Sequence, residues 1–133
     1  MRRRVTTCLL LLPALGAGSG SALALGVEIL PGGTIRGEGG VAAVRLRVTC
    51  TAQDAAFTGA VTIVQGAARG TASLRGGCAA IGAGVVEAAV PADRSLRRPR
   101  FRRGSARASV RLSPDDPLRG GAAAAHARKV ELR

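Results

Sequence analysis

Residues Val41–Thr51 read VAAVRLRVTCT. Val44, Leu46, Val48 and Cys50 fall on one side of an alternating pattern, and Arg45, Arg47 and Thr49 on the other. A side-chain period of two belongs to a β-strand with one face buried and one in water, so the aliphatic set is expected inward and the arginines outward. The register is stringent, because a slip of one residue would bury both arginines and expose Leu46. The strand ends on a cysteine, which makes it the natural anchor of a disulfide.

Working outward, the same alternation returns near the C-terminus. Ala106, Ala108, Val110 and Leu112 are expected inward, with Arg107, Ser109 and Arg111 outward. Phe57–Gln65 (FTGAVTIVQ) places Phe57, Val61 and Ile63 on one face and Thr58 and Thr62 on the other. Shorter strands are expected at Val27–Leu30, stopped by Pro31-Gly32-Gly33, then at Ala68–Leu74 and at Val85–Val90, which Pro91 ends. The last is expected at Lys129–Leu132. The linkers are turn-formers, including Gly37-Glu38-Gly39-Gly40 and Pro114-Asp115-Asp116-Pro117. Ala122–Ala125 has helical propensity, but a glycine pair precedes it and a strand follows, so a loop or strand start is expected. About seven short strands and no convincing helix point to an all-β, two-sheet antiparallel sandwich.

The chain has 133 residues, room for one domain. Its N-terminus reads as an export signal. Arg2, Arg3 and Arg4 form a positive region, Val5–Ala17 is largely apolar, and Ala22-Leu23-Ala24 fits a small-x-small cleavage rule. Cleavage is expected after Ala24, with Ala22 as the second choice, giving a signal peptide at 1–24 and a β-domain at 25–133. The apolar run is too short to span a bilayer comfortably, and no later stretch is longer. No transmembrane segment is therefore expected in the mature chain, which should be secreted and monomeric. Cys8 precedes most of the apolar run, the wrong place for a lipidated cysteine.

Cleavage takes away three of the twenty basic residues and none of the eight acids, so the formal charge falls from +12 to +9. It also removes Cys8 and leaves Cys50 and Cys78. In an exported chain an isolated pair is most simply a disulfide. A loop of this length should contribute roughly 3–4 kcal/mol in the chain-entropy model. The alternative is a pair of free thiols in redox or metal chemistry. Against it, there is no Cys-x-x-Cys and one histidine to help hold a metal.

These landmarks resemble a group of small secreted actinobacterial proteins of unknown function with an immunoglobulin-like β-sandwich. The matching pieces are Gly33-Thr34-Ile35, Val44-x-Leu46-x-Val48-x-Cys50, Val64-Gln65-Gly66 and Cys78, then Phe101-x-x-Gly104-x-Ala106-x-Ala108-x-Val110 and Val130-x-Leu132. The likeness covers nearly all of the mature chain. It implies an immunoglobulin-like fold and an extracellular address, and it implies no activity. The chain departs from antibody-type domains, since no Trp can pack on the disulfide and no Tyr can form a tyrosine corner. The cysteines are also close in sequence for the usual bridge, so this one need not join the usual strands.

No catalytic constellation stands out, and no enzyme is expected. His126 is the sole histidine, near the chain end, and no serine sits in a Gly-x-Ser-x-Gly elbow. Asp115 and Asp116 are flanked by prolines and read as a turn. Gly82-x-Gly84 lacks the helix that a nucleotide loop needs. No cofactor or metal is expected. The one feature with binding chemistry is the segment DRSLRRPRFRR, Asp93–Arg103. Within it Arg94, Arg97, Arg98, Arg100, Arg102 and Arg103 form a candidate anion-binding set, able to attract polyanions. Arginine is abundant throughout, as in a GC-rich genome, so a solvated loop is the plainer reading. Phe101 is the only aromatic in the segment, and sequence-specific nucleic-acid binding is not expected. Two functions stay open: a non-catalytic secreted domain with a structural or interaction role at the envelope, and a protein that binds an anionic envelope polymer or other polyanion through Arg94–Arg103.

Overall fold

A computed structural model of the chain describes residues 24–51, 56–78, 83–93, 99–115 and 122–133. The expected signal peptide and Cys8 lie outside the described residues, as does Asp116. The fold is all-β. Its strands are β1 (Leu25–Arg36), β2 (Val41–Cys50), β3 (Ala56–Gln65), β4 (Ala68–Gly77), β5 (Ala83–Pro91), β6 (Gly104–Pro114) and β7 (Ala124–Leu132). They form one mixed sheet in the order β4-β3-β6-β7-β1-β2-β5.

The central strand behaves as its alternation requires. Val44, Leu46 and Val48 are buried, and Arg45 and Arg47 are exposed. Val61, Ile63, Ala108, Val110 and Leu112, the rest of the expected inward set, are buried as well. They meet Ile29, Val90, Phe57, Phe101, Val130 and Leu132 in one core. Among the described residues no polar or charged side chain is buried. Each fully buried Val, Leu or Ile stabilises the fold by roughly 1.5–3 kcal/mol, so this apolar interior is the main driving force.

The sheet curls until its two edge strands touch, and the result is nearly a barrel. Asp93 N–H donates to Arg69 O at 2.7 Å across that seam. Gly70 makes the approach possible, since a Cβ there would collide with Pro91 O. Closing the seam protects edges that would otherwise offer unpaired backbone to another chain.

Three expectations about strands need correction. Pro31-Gly32-Gly33 does not stop β1, which runs on to Arg36 with a register shift between Ile29 and Gly33. Proline has no N–H to give the ladder and glycine bends freely, so the break redirects the strand instead of ending it. Beyond it β1 pairs in parallel with β7 at Gly32↔Glu131 and Gly33↔Leu132. The arrangement is therefore not wholly antiparallel. Finally, β7 starts at Ala124, well before Lys129. Its first half turns His126 and Arg128 toward β1, where both are half-buried. His126 Nδ1 accepts from Ile29 N–H at 2.9 Å, and Arg128 Nη1 donates to Ile29 O at 3.0 Å. Two side chains thus satisfy the backbone of β1 where it diverges from β7.

Cys50 and Cys78 stand at disulfide distance, with Cα atoms 5.3 Å apart, inside the range a bridge requires. One ends β2 and the other follows β4, so the pair faces across the molecule between strands far apart in sheet order. Leu25 packs against both.

Candidate anion-binding surface

Of the candidate anion-binding set, Arg94, Arg97 and Arg98 lie outside the described residues. Arg100, Arg102 and Arg103 are exposed on the stretch leading into β6. Phe101 fixes that stretch, with its side chain in the core and its N–H donating to Gly39 O at 2.9 Å. Gly39, at φ 90°, admits this approach, because a Cβ there would strike Phe101 O. Arg100 Nη1 donates to Gly37 O at 3.1 Å.

Gln65, at the end of β3, holds the other side as a surrogate strand. Its Oε1 accepts from Arg102 N–H at 2.7 Å, and its Nε2 donates to Arg102 O at 2.6 Å and Ser105 O at 3.3 Å. The result is an open depression of about 330 Å³ whose rim includes Gln65, Pro99, Arg100, Arg102, Arg103 and Ser105. Among the described residues, no carboxylate lines it. Guanidinium groups placed this way can grip phosphate, sulfate or carboxylate through paired N–H donors. Arg100 spends one donor on Gly37 and keeps others for a ligand.

Phe101 and Gln65 thus tie down Pro99–Arg103, while Arg100, Arg102 and Arg103 stay in solvent. Gln65 was missed by sequence reasoning, since 37 residues separate it from Arg102 and no local pattern connects them. Asp115 N–H donates to Ala56 O at 2.9 Å, which extends the β3-β6 pairing by one residue. Among the described residues, no helix is long and apolar enough to cross a membrane. No protein-family model matches the chain, and no curated protein matches it as a relative.

Proposed function

We propose that this is a non-catalytic secreted domain with an immunoglobulin-like β-sandwich, serving as an interaction or structural domain at the cell envelope. The observation that carries the non-catalytic reading is the engagement of His126. Its Nδ1 is already occupied by Ile29 N–H at 2.9 Å, which makes the sole histidine a strut between β1 and β7. Supporting the sandwich reading, β1 pairs with β2 on both sides of its break, whereas its parallel join to β7 spans only Gly32 and Gly33. So short a join fits a β1-β2-β5 layer packed against a β4-β3-β6-β7 layer, with the core between them.

The test is to express the full chain in a Gram-positive host and fractionate the culture. The expected product is cell-wall-bound or in the medium, begins at Leu25 or Leu23, and has the mass of an oxidised Cys50–Cys78 pair. An intact N-terminus with free thiols, retained in the cytosol, would contradict the reading.

A second reading, binding of polyanions, is favoured by the rim of Arg100, Arg102 and Arg103, which carries no acid among the described residues. Replacing Arg97, Arg98, Arg100, Arg102 and Arg103 with Ser should then release the protein from purified cell walls. Unchanged retention would remove the segment from the mechanism.

A further inference from the structure

The two layers are electrically unlike. On β1, β2 and β5 the charged side chains are Glu28, Arg36, Arg45, Arg47 and Glu87, and most of them are paired. Arg47 meets Glu28 and Arg36 meets Glu87, each at 2.8 Å. These are the two ion pairs found among the described residues. Strands β3, β4, β6 and β7 carry six cations and one carboxylate, Glu131. Glu131 accepts from Ser105 Oγ at 2.6 Å.

Strand register gathers the exposed cations. Arg107 stands directly opposite Lys129, Arg111 lies two positions beyond Ser109 on the same strand, and Arg75 stands opposite Thr58 on the far edge. Arg107 and Arg111 are therefore roughly 13 Å apart along β6. Between them the surface is low and hydroxyl-rich: Ser109 pairs with Thr62, which pairs with Thr71, and the two threonine hydroxyls are 3.1 Å apart. The floor is a hydrogen-bonded ladder, so little order remains to be imposed when a ligand arrives. Ser105 and Gln65 join one end of this face to the depression around Arg102.

We propose that the outer face of β4-β3-β6-β7 docks a linear phosphodiester polymer without aromatic bases, a polyol phosphate. The proposal rests on the polyanion reading and moves its main contacts from the arginine segment to Arg75, Arg107, Arg111 and Lys129. Guanidinium groups match phosphate oxygens two at a time, and the intervening hydroxyls suit a polyol repeat. Base stacking has no platform here. Phe57 and Phe101 are both buried, and the sequence holds no Trp or Tyr. A bilayer finds no apolar wedge either, since Val64 is the one large exposed hydrophobic on this face.

The experiment titrates a labelled glycerol-phosphate polymer with the full chain and with two variants. The first variant carries Arg75→Gln, Arg107→Gln, Arg111→Gln and Lys129→Gln. The second carries Arg100→Ser, Arg102→Ser and Arg103→Ser. Loss of the four face contacts should weaken binding on the order of 100-fold at low salt, while the second variant keeps most of it. The single change Lys129→Glu, at an exposed position with little risk to folding, should weaken it roughly tenfold. Polyglutamate should bind more weakly than the phosphate polymer, and oligo-dT no more tightly. If the face variants bind like the parent while the Arg100–Arg103 variant does not, the proposal fails and the segment reading stands. If no polymer binds, both fall. Tighter binding of oligo-dT or polyglutamate would overturn the choice of ligand.

Discussion

Reducing the cysteine pair should cost this fold a large share of its stability. Cys50 and Cys78 are 28 residues apart. Closing a loop of that size lowers the unfolded chain's entropy by about 12 cal/mol/K, or about 3.6 kcal/mol at room temperature. Cys78 is buried beside Leu25 and Cys50, and two thiols occupy nearly the volume of the bridge, so most of the change belongs to the unfolded state. A domain of this size is typically stable by about 5–15 kcal/mol, and a core built largely from Ala and Val should lie toward the lower end. Urea unfolding followed by circular dichroism, with and without reductant, is the assay. The midpoint should fall by roughly 2 M, and Cys50→Ser should reproduce the reduced curve without reductant. Coincident curves for the oxidised and reduced protein would refute the reasoning, because the pair would then be unbridged or would constrain nothing.

Other outcomes follow from single contacts. Phe101→Ala removes a buried ring that anchors Pro99–Arg103 and should cost about 3–5 kcal/mol in chemical denaturation. His126→Ala leaves Ile29 N–H without its side-chain acceptor. The expected loss is about 1 kcal/mol, with faster hydrogen exchange at Ile29. Gly70→Val collides with Pro91 at the seam between β4 and β5, so the edges should separate and the protein should aggregate on heating. Glu28→Gln breaks an exposed ion pair with Arg47 and should change stability by less than about 1 kcal/mol.

What was legible in the sequence follows the size of the side chains. In β2 and β6, large aliphatic residues alternate with arginine, and period and register were both readable. In the first half of β7, Ala125 and Ala127 point outward while His126 and Arg128 point in. No hydrophobicity pattern marks such a strand, because its inward side chains are there to bond Ile29. The continuation of β1 past its break was hidden for a related reason. Pro31-Gly32-Gly33 reads locally as a stop, and only β2 on one side and β7 on the other carry the strand through it. The arginine segment was visible because its charges are clustered within ten residues of sequence. The basic sheet face was not, because its cations come from three strands and meet only through the register.

The measurement that bears most directly on the account is the salt dependence of polymer binding by the unmodified chain. Four charge contacts on the β4-β3-β6-β7 face predict that log affinity falls against log salt with a slope of about −3. A slope near zero, or no binding at low salt, would contradict it. The exposed cations would then be solvated surface, and any partner would have to be sought on the charge-paired face of β1, β2 and β5.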